Sequence, residues 1–368
     1  MVSNARQLAQ VPSVPSGRRN LIINGAMNVS QRYEATPQTG LTGANSRYVA
    51  DRFNFVHNLT SAVFTAEQEP DAPDGFKNSI KLTCTTADAS LDAAEYGQVN
   101  YKFEGQDLQS LQYGGSSAKS VTVSFYVKSS KTGTYICRLF TPDHSFRANH
   151  VSYTINSANT WEKKELKFVG DTSAGITSDH TEGLRLTWWL LAGSNFNSGT
   201  SLNPANSWGA YVSADSAVGN VNLADTVNAT WQITGVQLEV GNVATEFEHR
   251  SFAEDLALCE RYCIVYGGDS IYDRVGIGHC SLTTQANIVV TFPVKMRVGP
   301  TESTSADSDF ALYHANAVTG ATTITMNYNS RRVVALDVHV ASGLTVGRTA
   351  QFISSANTNA RITFDSEM

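Results

Sequence analysis

The feature that most constrains this chain is the two-residue rhythm of its apolar side chains. Val121, Val123, Phe125 and Val127 fall on one side of the run Val121–Lys128. A strand sends successive side chains to opposite faces, so such a run reads as half-buried β-strand and not as helix. Glu165–Val169 alternates likewise after Trp161, and Leu184–Leu191 starts by alternating and ends apolar on both faces. Trp231–Val240 carries the pattern through Gly235, where a bulge is expected. Turn-forming clusters such as Asp71–Gly75 and Lys131–Gly133 separate the runs. Many short strands joined by polar turns predict a β-sandwich of jelly-roll type over 19–250.

One segment departs from this rhythm. Phe252, Leu256, Cys259 and Cys263 stand at helical spacing, with Leu258 and Tyr262 beside them, and Ser251 with Glu254 has the form of a capping box. The spacing predicts a helix over 252–262 within a linking segment, 251–266. Alternation then returns at Ile288–Phe292, Thr322–Met326, Arg332–Val340 and Ala360–Phe364, predicting a smaller β-sandwich over 267–368. Two domains also suit the length, because 368 residues exceed the roughly 250–300 that one core serves. At the start, Ser3–Gln10 has the makings of a short helix with Leu8 turned to a partner, and Val11–Gly17 is a proline-spaced linker. A helix that short is not stable alone, so 1–18 is expected to dock onto another protein. The expectation is an all-β chain: a jelly roll, a short helix and a smaller C-terminal sandwich.

Composition removes several function classes. With 27 Lys and Arg against 33 Asp and Glu, the net charge is −6. The basic pairs Arg18-Arg19, Lys163-Lys164 and Arg331-Arg332 are too short to hold a phosphate backbone, so no nucleic-acid partner is expected. No apolar stretch approaches the roughly 20 residues that span a bilayer, and Met1–Arg6 lacks a signal-peptide core, so neither membrane insertion nor classical secretion is expected. Five scattered cysteines read as reduced, buried thiols and not as a disulfide frame. Cys259 and Cys263 lack two further ligands at zinc spacing.

Catalytic constellations are weak. Gly268-Asp269-Ser270 follows an apolar run as a serine nucleophile would, but Asp337-Val-His339 has the wrong spacing to support it, and an ordinary turn is favoured. Glu95, Glu104, Asp107, Glu162, Glu165 and Glu182 could supply a carboxylate pair for glycoside cleavage, though solvated strand faces explain them better. His144 and His150 have no ligand logic, and Asp71, Asp74 and Asp171 lack calcium-loop spacing. No metal, cofactor or catalytic set is expected, so the chain is read as a non-enzyme. Aromatic residues are the better binding material: Trp188, Trp189, Trp208, Tyr211 and Tyr113 offer flat faces for stacking on sugar rings. Trp188 and Trp189 point to opposite sides of a strand, so one is core and the other is a subunit-interface or ligand candidate.

Two motif clusters carry a family resemblance. Asn20–Arg32 with Ala50-Asp-Arg-Phe53, and Gln237–Gly241 with Ala244–Ser251 and Glu254–Tyr262, together resemble a family of bacteriophage tail-fibre and virion-associated proteins. Ala360–Met368 is similar to that family's ending, and Ser3–Arg6 looks like the start of fibre-like proteins from marine podoviruses, especially cyanophages. The resemblance implies a jelly roll similar to carbohydrate-binding modules and a trimeric virion protein that attaches the phage to a host-surface glycan or protein. In that reading, Arg6 and Leu8 belong to a segment bound to tail or capsid proteins, and the C-terminal domain faces the host. Arg250, Glu254, Leu258 and Tyr262 would serve assembly, with Arg250 and Arg261 pairing Glu254 and Glu260 of a neighbouring chain. A capsid decoration or head-fibre protein of the same fold is the alternative, and a polysaccharide depolymerase a more distant one.

Overall fold

The computed structural model describes residues 18–368. The expected docking helix and linker, with Arg6 and Leu8, lies outside the described residues, apart from Arg18. The chain divides into two compact units, one ending at Phe252 and one covering Ala253–Met368.

The first unit is a jelly-roll sandwich. Its strands are β1 (Gln38–Ala50), β2 (Phe53–Glu69), β3 (Ser79–Thr86), β4 (Tyr96–Glu104), β5 (Val121–Ser129), β6 (Gly133–Thr141), β7 (Arg147–Ile155), β8 (Glu162–Phe168), β9 (Glu182–Ala192), β10 (Gly209–Ala210) and β11 (Thr230–Val240). The long β2 serves two sheets. Its first half pairs with β4 and its second half with β3. One layer therefore runs β10-β7-β6-β9-β4-β2 and the other β2-β3-β11-β5-β8, while β1 folds back on β2 as a hairpin. The alternating side chains meet between the layers: Phe125 of β5 lies edge-on to Trp188 of β9 at 5.7 Å and to Tyr153 of β7 at 5.2 Å. Val121, Val123, Phe125 and Val127 are all buried there, as their rhythm predicts. Burying each such large apolar side chain stabilises the fold by about 1.5–3 kcal/mol.

The two motif clusters, more than 200 positions apart, form one clasp. Leu21 N donates to Leu238 O at 2.9 Å, and Val236 N donates to Gly25 O at 2.9 Å. Between them, the Asn20 side chain accepts from Ile22 N and Leu238 N and donates to Val236 O. Arg250 closes the clasp by donating to Ile22 O at 2.6 Å and Asn20 O at 2.5 Å, and Asn20 N donates to Glu248 at 2.8 Å. The guanidinium of Arg250, expected to pair with a neighbouring chain, is engaged by carbonyls of its own unit. Gly25 is required by close approach, since a Cβ at that position would be driven into the Val236 carbonyl. Asp51 accepts from Gln31, Arg52 reaches Lys102 O and the ring of Tyr101, and Gln237 donates to Glu239.

In the second unit, helix α2 (Phe252–Cys259) ends one turn earlier than its spacing suggests; the shorter α1 (Ser194–Asn197) belongs to the first unit. Cys263–Tyr266 is not linker. It is strand β12, the edge of a three-stranded sheet with β20 (Ile362–Asp365) and β15 (Thr301–Thr304). Of the residues expected to serve assembly, Tyr262 is 1% exposed, Leu258 half-buried and Glu254 exposed. In place of a second sandwich, β13 (Arg274–Cys280), β14 (Gln285–Thr291), β16 (Phe310–His314), β17 (Ala317–Asn329), β18 (Val333–Val340) and β19 (Thr349–Ser354) close into a barrel. Closure pairs the strand edges that an open sheet would leave bare. Ile288, Val290, Leu312, Leu336, Val338 and Phe352 fill its interior. The five cysteines are buried free thiols, and no helix among the described residues is long and apolar enough to cross a membrane.

Candidate functional site

The outer face of the first layer carries a row of polar side chains where solvent-facing strands usually vary. Residues directly opposite each other in antiparallel strands share a face. The register places His150 of β7 opposite Arg138 of β6, Arg138 opposite Thr187 of β9, Thr187 opposite Asn100 of β4, and Asn100 opposite Asn54 of β2. Their chain neighbours Cys137, Leu139, Trp188, Val99, Tyr101, Phe53 and Phe55 all turn into the sandwich core. A second row sets Trp189 opposite Gln98, and a third sets Phe140 opposite Arg185 and Arg185 opposite Lys102.

The row is polar yet buried. Arg138 is 4% exposed and His150 and Thr187 are fully covered. Most of the cover comes from the segment between β9 and β11. Phe196 of α1 packs on Trp189 at 5.4 Å, Tyr211 lies against Phe140 at 5.6 Å, and Pro204 O accepts from His150 Nδ1 at 3.0 Å. The Arg138 guanidinium sits 5.3–5.4 Å from the rings of Phe140, Tyr211 and Trp189, and donates to Thr187 Oγ1 at 3.2 Å and Gln98 Oε1 at 3.4 Å. Burial lowers its pKa to about 10, which leaves it cationic at neutral pH. Burial, with the charge of Arg138, brings His150 down to about 4, so its imidazole is neutral.

Four polar atoms on this face have no protein partner: Arg138 Nε, Trp189 Nε1, Asn100 Oδ1 and His150 Nε2. His150 Nδ1 faces a carbonyl, which only accepts, so Nε2 carries the lone pair. The face thus holds two unused donors and two unused acceptors beside aromatic rings. Buried polar groups ordinarily find partners, because each one left unpaired costs about 1–3 kcal/mol. A hydroxyl group, which donates and accepts at once, matches such a mixture.

The aromatic residues singled out by sequence divide three ways. Trp188 faces the core and cannot meet a ligand; Trp189 lies on the polar face but beneath Phe196, fully covered. Trp188 is thus the core member of the pair that the alternation expects, while Trp189, the outward candidate, is corrected from an open platform to a covered one. Tyr211 stands on the polar face beside Arg138. Trp208 and Tyr113 form a separate edge-on pair at 5.7 Å, with Trp208 Nε1 donating to Val169 O at 2.7 Å. Sequence reading missed Arg138, Thr187, Asn100, Gln98 and Phe140 altogether.

The other constellations resolve into structural roles. Ser270 Oγ donates to Asp273 at 2.6 Å, and the Ser270 and Asp269 amides do so as well, which makes Gly268–Asp273 a capped turn. Glu104 and Glu182 are register partners, but Glu182 is engaged twice by Arg185, at 2.7 and 2.9 Å, and lies 3.5 Å from Lys102. Asp71 is bound by Lys128 and Trp161, and Asp171 is held at both oxygens by Arg147. No group of three or more His, Cys, Asp or Glu among the described residues is placed to hold a metal ion.

No protein-family model matches this chain, and no curated protein matches it. Among solved structures, the enzymatically active domain of tailspike protein 4 of bacteriophage CBA120 aligns over 60% of this chain and 21% of its own, at 12% identity and a TM-score of 0.33. The alignment thus spans about a fifth of that tailspike domain. A family 11 carbohydrate-binding module from Clostridium thermocellum, in complex with a β-1,3-1,4-mixed-linked tetrasaccharide, aligns over 57% of this chain and 99% of its own at 12% identity and a TM-score of 0.28. A family 61 module in complex with β-1,4-galactotriose gives 61%, 99%, 8% and 0.24 for the same measures. Likenesses of this size assign neither a ligand nor an activity.

Proposed function

We propose that this chain is a homotrimeric phage tail-fibre or receptor-binding protein that attaches the particle to a glycan on the host surface. The observation that carries the reading is the row His150–Arg138–Thr187–Asn100–Asn54, with its unpartnered donors and acceptors flanked by Phe140 and Tyr211. Hydroxyl-rich ligands need that combination: hydrogen bonds of both senses at the ring edge and an aromatic face for the C–H side. The glycan contact is accordingly proposed on the first unit, and not on the C-terminal unit that the family resemblance had pointing to the host. Arg185 and Lys102, half-buried beside the row, are the charged groups nearest to solvent on this face.

The phage assignment rests on the family resemblance, whose two motif clusters meet in one clasp. Attachment requires no strong single site, because three copies per fibre and several fibres per particle multiply weak contacts. No catalytic step is part of the proposal. Immunogold labelling of intact virions of the encoding phage tests the location. Gold on the tail supports the reading, gold over the head moves the chain to capsid decoration, and unlabelled particles overturn the virion role.

A further inference from the structure

A cavity of about 250 Å³ on the first unit, none of whose lining residues belongs to the polar row, is lined by Tyr33, Gln38, Leu41, Asn45, Arg47 and His57 among others. It exists because β1 does not follow β2 evenly. Register slips fall between Gln38 and Leu41 and again between Leu41 and Gly43. Gly40 and Gly43 both have φ +68°, a left-handed conformation that side-chain-bearing residues rarely adopt, and the two kinks bow the strand outward.

Two side chains lining the cavity are buried with a polar atom unmatched. His57 is 1% exposed, stacked on Phe55 at 4.8 Å, with Nδ1 3.0 Å from Gly43 O. The carbonyl fixes the proton on Nδ1, so Nε2 is an acceptor, and it has no partner. Gln38 spends its amide N–H on Tyr48 O at 2.9 Å, leaving Oε1 as a second acceptor without a partner. Burial lowers the pKa of His57, in keeping with a neutral ring. Two buried acceptors repel an anion, and the guanidinium of Arg47 disfavours a metal cation. What they suit is a neutral ligand with O–H donors, whose own oxygens Arg47 can serve. The volume falls below the roughly 300–1,000 Å³ of sites for drug-sized ligands, so it suits a single ring. Tyr33, 37% exposed, supplies a flat face for that ring.

We propose that this cavity binds one neutral sugar unit, with hydroxyls donating to His57 Nε2 and Gln38 Oε1 and Tyr33 stacking on the ring. The site is separate from the polar row and stands whether or not that row holds a glycan. The test is saturation-transfer NMR and titration of the full chain with free glucose, galactose, mannose, N-acetylglucosamine and N-acetylgalactosamine up to 10 mM, beside inorganic phosphate and sulfate. At least one sugar is expected to bind, with affinity lost tenfold or more in Gln38→Leu and in Tyr33→Ala and unchanged in Gly115→Ala, where an added methyl meets open space. Tyr33 lies at the surface, so Tyr33→Ala keeps the test valid if Gln38→Leu fails to fold. The proposal is overturned if no sugar binds, if phosphate or sulfate binds in their place, or if binding survives in Tyr33→Ala. Attachment to host cells, measured separately, reports on the polar row and not on this cavity.

Discussion

Replacing Arg250 by alanine should open the clasp and destabilise the first unit without changing how chains assemble. The guanidinium donates to Ile22 O at 2.6 Å and to Asn20 O at 2.5 Å. Hydrogen bonds from a charged donor contribute about 1.5–3 kcal/mol each, and partial solvent access at the clasp favours the low end, so the pair is worth about 3 kcal/mol. An ion pair on the surface, the role that the family resemblance suggested, would contribute about 1 kcal/mol or less. The two readings therefore separate cleanly. All five tryptophans (Trp161, Trp188, Trp189, Trp208 and Trp231) lie in the first unit, so urea unfolding followed by tryptophan fluorescence reports that unit alone. With a urea slope of about 3 kcal/mol per molar for a unit this size, Arg250→Ala should lower the midpoint by about 1 M. Light scattering on the same samples should give an unchanged mass. A midpoint within about 0.2 M of the native chain, accompanied by a smaller assembly, would refute the clasp and restore Arg250 to a contact between subunits.

Two further substitutions and a pH series follow from the same geometry. Gly25→Ala should cost about 3 kcal/mol, because the new methyl meets the Val236 carbonyl, whereas Gly115→Ala, with open space around it, should stay within about 0.5 kcal/mol; equal midpoints for the two contradict this. His150 titrates near 4 in the fold against 6.5 for the unperturbed imidazole, so the unfolded chain binds more protons between those values and stability falls as the pH drops through that window. From pH 7 to pH 4.5 the loss from this residue is about 2.5 kcal/mol, absent in His150→Gln, and parallel pH profiles for the two proteins would contradict it. Asn54→Ala, which frees Ser46 from a 2.9 Å hydrogen bond, should leave stability within about 1 kcal/mol while weakening glycan binding; unchanged binding would remove that end of the row from the site.

Much of the strand content was legible, for a local reason. Val121–Lys128 became Val121–Ser129, Arg332–Val340 became Val333–Val340, and the bulge expected at Gly235 appears as a register slip between Thr234 and Gln237. In Val333–Val340 buried and half-buried residues alternate, and in β5 and β11 the second face, though covered, carries polar residues such as Thr122, Ser124, Gln232 and Thr234, so the contrast is written into adjacent residues. Where both faces carry apolar residues or both are exposed, the rhythm fades. β6 is buried almost throughout because the segment between β9 and β11 lies over its outer side, and β1 is largely exposed along its middle. Barrel closure depends on β19 pairing with β13 and β16, contacts between distant residues that no local period encodes. The candidate site was hidden for the same reason: Asn54, Asn100, Arg138, His150 and Thr187 meet only through strand register. The local sign of it was a lone arginine inside Tyr135–Phe140, an otherwise apolar run.

Glycan binding on the polar face of the first layer can be tested without the intact phage. The most direct measurement is binding of the purified full chain to surface polysaccharide extracted from host cells, by calorimetry or biolayer interferometry, for native protein, Asn100→Ala and Arg185→Ala. Saturable binding by the native chain is expected, weakened about tenfold or more in both variants, at unfolding midpoints that show each is folded. Absence of binding by the native chain, or native affinity in both folded variants, would contradict it.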